Sequence, residues 1–179
     1  DNFKKSMLQI NYQKASNDNY LKLFDLQSPL LQDDNSVLES KIKFDLEHEK
    51  YDLTTSFEMY ETLNGSNSDR YQYVLPNYNF SKNFNLEMIS GSFNLNSYGN
   101  NSLNDTNVVV SSLSNDLSYS TLDNFFDGGI KTNFQVSLKN VNAVGKNSSK
   151  YKNSPQSELM STYTYNASLP LIKKNSTTF

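Results

Sequence analysis

What most constrains this chain is a two-residue alternation of apolar and polar side chains, repeated in segments of about ten residues. The clearest segment sets Leu38, Ile42, Phe44 and Leu46 against Glu39, Lys41, Lys43, Asp45 and Glu47. On a helix, at about 100° per residue, those charges would wrap around the axis; on a pleated strand the two sets fall on opposite faces. Tyr51, Leu53, Thr55, Phe57 and Met59 then oppose Asp52, Thr54, Ser56 and Glu58. Only His48-Glu49-Lys50 separates the two segments, which predicts a tight hairpin.

Six further segments follow the same rule. Leu8, Ile10 and Tyr12 form the first strand. Tyr71, Tyr73 and Leu75 begin a fourth that passes Pro76 and continues at Tyr78 and Phe80 with its parity changed, as at a β-bulge, since proline cannot donate to a ladder. Ser81-Lys82-Asn83 reads as a link to a fifth strand, Phe84 to Ser97. A sixth, Asn107 to Tyr119, is irregular at Val108-Val109-Val110. The seventh carries Ile130, Thr132, Phe134, Val136 and Leu138 on one face, and the eighth Leu159, Tyr163, Tyr165, Ala167 and Leu169. Asn17 to Phe24 and Ser28 to Leu31 have room for one helical turn each.

The connections predict the architecture. Long polar links (Ala15 to Val37, Thr62 to Arg70, Tyr98 to Thr106, Asn142 to Ser157) alternate with shorter ones. Ten-residue alternating segments with short turns on one rim and long loops on the other are the pattern of a transmembrane β-barrel. A strand rising ~3.3 Å per residue and tilted ~45° needs about 9–11 residues to cross the hydrocarbon layer. The expected fold is therefore all-β: an antiparallel up-and-down transmembrane barrel, here about eight strands of a larger one, with no internal domain boundary over 1–179. A soluble β-sandwich is the alternative, but its strands are usually nearer five or six residues.

Composition narrows the function classes. Only 36% of residues are hydrophobic and mean hydropathy is −0.67, yet 13% are aromatic, which separates the chain from disordered segments. Asn and Ser together supply roughly 30%, well above normal usage. A net charge of −3 offers no basic footprint for nucleic acid, and the absence of cysteine removes disulfides, thiolate metal sites and a cysteine nucleophile. No run approaches the ~18 apolar residues of a membrane helix. Opening at Asp1 in mid-pattern, the sequence reads as a piece of a longer chain.

Several stretches carry a family resemblance. Ser16-Asn17-Asp18-Asn19-Tyr20-Leu21-Lys22-Leu23-Phe24-Asp25 is similar to the Ser-Asp-x-x-Tyr-Phe/Leu-x-x-Phe element of the lipopolysaccharide-assembly (LptD, organic-solvent-tolerance) family. Asp69-Arg70-Tyr71-Gln72-Tyr73-Val74-Leu75-Pro76 resembles that family's Arg-Tyr-x-x-x-Pro strand. Asn115 to Gly129, Lys139-Asn140-Val141-Asn142 and Ser168-Leu169-Pro170-Leu171 resemble α-proteobacterial members in the middle and later barrel. The resemblance implies a Gram-negative outer-membrane protein with no enzymatic chemistry and no cofactor. It would pass lipopolysaccharide into the outer leaflet, hold an LptE-type plug lipoprotein, and be inserted by the outer-membrane assembly machinery. Contact with a periplasmic LptA-type bridge would come through a domain that this chain does not include. Readings from other classes are a passive porin-like or small eight-stranded barrel, and a secreted β-sandwich adhesion module.

Candidate residues follow from the same motifs. Asp18, Tyr20 and Phe24 suggest an ordered loop anchored by aromatics. Tyr71 suits the aromatic girdle at a membrane interface, and Arg70 with Asp69 is placed to form an ion pair or meet lipid phosphate. His48, between Glu47 and Glu49, reads as a solvated turn residue without partners for a triad or zinc site. Asp33-Asp34-Asn35 and Asp123 to Gly129 offer oxygen ligands but not the spacing of a calcium loop, so both read as polar turns and no metal site is expected. Asn-x-Ser/Thr matches such as Asn64-Gly65-Ser66, Asn147-Ser148-Ser149, Asn166-Ala167-Ser168 and Asn175-Ser176-Thr177 are what a chain so rich in Asn and Ser gives by chance.

Overall fold

A computed structural model describes residues 3–19, 36–66, 69–84 and 90–169. Among them there are strands and no helix: β1 (Phe3–Asn11), β2 (Val37–His48), β3 (Tyr51–Thr62), β4 (Tyr71–Phe84), β5 (Gly91–Asn104), β6 (Val108–Thr121), β7 (Asn124–Phe125), β8 (Lys131–Lys146) and β9 (Gln156–Ser168). All pair antiparallel in one sheet, ordered up and down along the chain from β1 to β6, then β8, with β9 and the two-residue β7 both on β8. β1 and β9 do not pair, so the sheet is open. Each strand touches only its ladder neighbours, and among the described residues no second layer packs against the sheet. The fold is all-β and antiparallel, as the alternation predicted, and among the described residues it lacks the facing sheet of a sandwich.

The register carries the alternation across the sheet. Ile10 lies opposite Ile42, which lies opposite Phe57; Leu8 meets Phe44, and Leu46 meets Leu53 and then Phe80. The intervening residues, Lys41, Lys43, Asp45, Thr54, Ser56 and Glu58, share the other face. One face is thus apolar and the other polar. The bulge predicted at Pro76 is present: Ser56 pairs with Asn77 and Glu58 with Val74, so Phe57 faces both Leu75 and Pro76.

Several boundaries differ from those the sequence suggested. Ser81-Lys82-Asn83 is not a link but the last part of β4, paired with Asp52, Tyr51 and β5, and β5 begins at Gly91 rather than Phe84. Tyr98 to Asn104, expected as a loop, continues β5 to a three-residue turn, where Asp105 and Thr106 take positive φ of 49° and 60°. Asn142 to Lys146 likewise belongs to β8. The expected alternation of short and long connections therefore fails after β4. Asn and Ser serve both turns and strands here, so composition does not mark where pairing stops. Asn17 to Asn19 is a turn closed by Asn17 Oδ1 accepting the Asn19 N–H at 2.8 Å; the rest of that expected helical turn, and Ser28 to Leu31, lie outside the described residues.

Candidate functional site

Two features of this bifacial wall concern function: a charged network on the polar face, and a clamp at one rim. On β2 and β3, Glu58 is 7% exposed and accepts three hydrogen bonds, from Lys41 Nζ at 2.8 Å, Ser56 Oγ at 2.8 Å and Tyr60 Oη at 2.7 Å. Beside it Lys43 pairs with Asp45 at 2.9 Å, and Thr54 Oγ1 donates to the same carboxylate at 2.8 Å. These charges satisfy one another along the polar face. Directly behind them on the apolar face, Ile10 is 66% exposed, Ile42 48%, Phe57 47% and Leu75 48%, while Ser56 is 4%. The usual layering is inverted over these strands: charge is covered and large apolar groups are open.

The clamp unites residues singled out separately by the two motifs. Arg70 binds Asp18 in bidentate fashion, Nη1 to Oδ2 at 3.1 Å and Nη2 to Oδ1 at 2.8 Å, across 52 positions of sequence. Its Nε also donates to Glu61 Oε1 at 2.8 Å, and Tyr71 Oη donates to the same oxygen at 3.1 Å. The fork geometry of guanidinium makes such a double pairing possible, where an ammonium would act as one point charge. The hydrogen bond from Arg70 is the main reason the Asp18 carboxyl is held below the ordinary aspartate range, and the two carboxylates raise the Arg70 pKa in turn. Asp69 is not Arg70's partner, contrary to expectation; its carboxylate accepts Ser66 Oγ at 3.0 Å. With two carboxylates on one guanidinium the trio carries net negative charge, so a phosphate would have to displace one of them. Tyr71 lies at the rim, 39% exposed, and stacks with Tyr73 at 6.3 Å. Tyr20 and Phe24 lie outside the described residues.

Backbone contacts carry the clamp into the chain after β1. The Gln13 N–H donates to Ser40 Oγ at 3.1 Å, and Gln13 Oε1 accepts the Glu39 N–H at 2.9 Å. Ala15 packs on Leu38 and Leu63, the small apolar core of the described structure. Leu38, expected to join the open apolar row, is instead buried beneath this segment.

Two placements were missed by sequence reasoning. His48 is not a free turn residue: its ring stacks on Tyr51 at 4.7 Å and meets Phe3 edge-on at 5.3 Å, with Tyr51 reaching Phe80 at 6.0 Å, so an aromatic cluster marks the rim opposite the clamp. A polar cavity of about 700 Å³ lies on the polar face between β5, β6 and the turn at 147–151, lined by Tyr98, Asn100, Ser102, Asn104 and Tyr151 among others. Val108 and Val110 also line it, which accounts for the irregular valines: they sit on the polar face but beside the Tyr151 turn. In the 122–130 connection, Asp123 is held below its ordinary pKa by Lys131, at 2.7 Å, and by Asn133, at 3.0 Å.

No protein-family model matches the chain, and no curated protein matches it. What the arrangement offers chemically is therefore read from the geometry: a wall with one face suited to apolar surroundings, the other to water and polar solutes, and a rim loop fixed by ion pairing.

Proposed function

We propose that this chain is part of the wall of an outer-membrane β-barrel, with its apolar face toward lipid and its charged face toward an aqueous interior. The observation that carries the reading is the inverted layering of β2 and β3, in which Ile42 and Phe57 are open while Glu58 and Ser56 are covered. In water an exposed row of Ile, Phe and Leu is unfavourable by about 25 cal/mol per Å² of apolar surface; in hydrocarbon that term vanishes. In lipid the free edges of β1 and β9 would have to be paired, since an unpaired strand edge is not tolerated there.

Within that class, the reading the sequence favours is the lipopolysaccharide translocon. Its support is the order of the resembling motifs, two of which meet in space through Asp18 and Arg70. Lipopolysaccharide, an LptE-type plug and the assembly machinery are the proposed partners. Conditional depletion of the protein in its host, with surface lipopolysaccharide measured alongside uptake of small solutes, tests it. Loss of surface lipopolysaccharide is expected; unchanged lipopolysaccharide with reduced solute uptake would replace the translocon by a passive porin.

A further inference from the structure

The apolar band does not follow the ladder rows. The row that starts at Phe44 passes through Thr55, Tyr78, Gly99 and Leu113 and arrives at Asn142 and Ser157. On β2 that row is the centre of the apolar set, between Ile42 and Leu46. On β8 the same row is polar, and the apolar set Phe134, Val136 and Leu138 is centred six residues further along the strand, at Val136. The strands between show intermediate stages. On β4 the set is Tyr78 and Phe80, on β5 Leu95 and Phe93, and on β6 Leu113, Leu117 and Tyr119, with Phe93 stacked on Tyr119 at 4.4 Å.

Above the band, the late strands carry a polar inlay on the apolar face. Tyr78 Oη bonds Ser97 Oγ at 3.2 Å, Ser97 donates to Asn115 Oδ1 at 2.7 Å, Asn142 donates to Asn140, and Asn140 Nδ2 donates to Ser157 Oγ at 3.3 Å. These groups satisfy one another only in part. Each amide nitrogen carries two donors and each oxygen two lone pairs, and lipid tails would answer none of the remainder.

Resting on the barrel-wall reading above, we infer that the hydrocarbon layer crosses this sheet as a diagonal, from Ile42–Leu46 on β2 down to Phe134–Leu138 on β8, which carries Asn142, at the far end of the inlay, out to the lipid headgroups. A band level with the membrane crosses tilted strands at a shifting residue, and the size of the shift gives the tilt. Six residues over the five strand-to-strand steps from β2 to β8, at ~3.3 Å per residue and ~4.8 Å per strand, correspond to a tilt of roughly 40°. That is within the ~35–45° of membrane barrels, and it comes from side-chain chemistry alone.

These 179 residues contain no cysteine, so within them each introduced cysteine is a unique label site. The full chain carrying Phe44→Cys, Val136→Cys or Asn142→Cys, each with a fluorophore, is reconstituted into phosphatidylcholine vesicles containing quenchers at the headgroup or deep in the acyl chain. The inference expects Phe44 and Val136 labels at one depth, quenched by the deep probe, and the Asn142 label ~15 Å shallower, quenched at the headgroup. Leu46→Cys, Phe134→Cys and Asn140→Cys, where Leu46 and Asn140 share one ladder row and Phe134 keeps the same six-residue offset, repeat the comparison should a first-choice variant misfold. Equal depth for Phe44 and Asn142, with Val136 displaced, would overturn the diagonal and leave the lipid-facing wall standing. All labels open to aqueous quencher alone would overturn the wall as well.

Discussion

Placing a cation within the apolar band separates a wall facing lipid from a sheet facing water. Ile42 is the position to use: it is 48% exposed, paired with Ile10 and Phe57. If that face met water, Ile42→Arg would exchange a half-exposed apolar side chain for a solvated one, and surface changes of this kind usually fall within about 0.5 kcal/mol of neutral. If it meets hydrocarbon near the midplane, the same change costs about 2–4 kcal/mol, a loss of roughly 30- to 900-fold in the folding equilibrium. The position cannot escape by burying the charge, because the polar face behind it already holds Lys41 and Lys43. The measurement is reversible denaturant unfolding from phospholipid vesicles, followed by tyrosine fluorescence because the chain has no tryptophan. Leu138→Arg is expected to cost a similar amount and Asn142→Arg about 0–1 kcal/mol. An Ile42→Arg protein as stable in vesicles as the parent would refute the lipid-facing assignment.

Other consequences are as direct. Glu58→Ala strips Lys41, Ser56 and Tyr60 of their shared acceptor and is expected to destabilise by about 2–4 kcal/mol; a Lys41/Glu58 double-mutant cycle with no coupling would contradict the network. For Asp18, the folded carboxyl has the lower pKa, so its contribution is complete above the ordinary aspartate range and is lost as pH falls through the folded value. Protection of the 12–19 amides, taken relative to the intrinsic exchange rate at each pH, should accordingly fall in acid, and Asp18→Asn should lower it at neutral pH with the acid step abolished. At Gly99 a Cβ would come within 2.1 Å of the Tyr78 ring. Gly99→Val should therefore cost about 1–3 kcal/mol by overpacking and much less beside Tyr78→Ala; an equal cost in both backgrounds would show that the ring is not what excludes a side chain there.

The strands and their faces could be read from the sequence because period two is a local property, set by the pleat and repeated within each segment. The bulge at Pro76 was legible for the same reason, as a break in parity beside a residue that cannot donate. Strand ends were not. Tyr98 to Asn104 and Asn142 to Lys146 have the composition of loops, and only a partner strand makes them β. The clamp was half visible: the motifs marked Asp18 and Arg70, but Glu61 looked like one polar residue among many, and Asp69, adjacent in sequence, looked the better partner.

Sequence alone decided that this chain forms long antiparallel strands with an apolar and a polar face, because alternation needs nothing beyond neighbouring residues. The tertiary structure decided which residue lies opposite which, and so the ion pairs, the rim clamp and the slope of the apolar band. Those are properties of register, and register is fixed only when separate strands are hydrogen-bonded side by side.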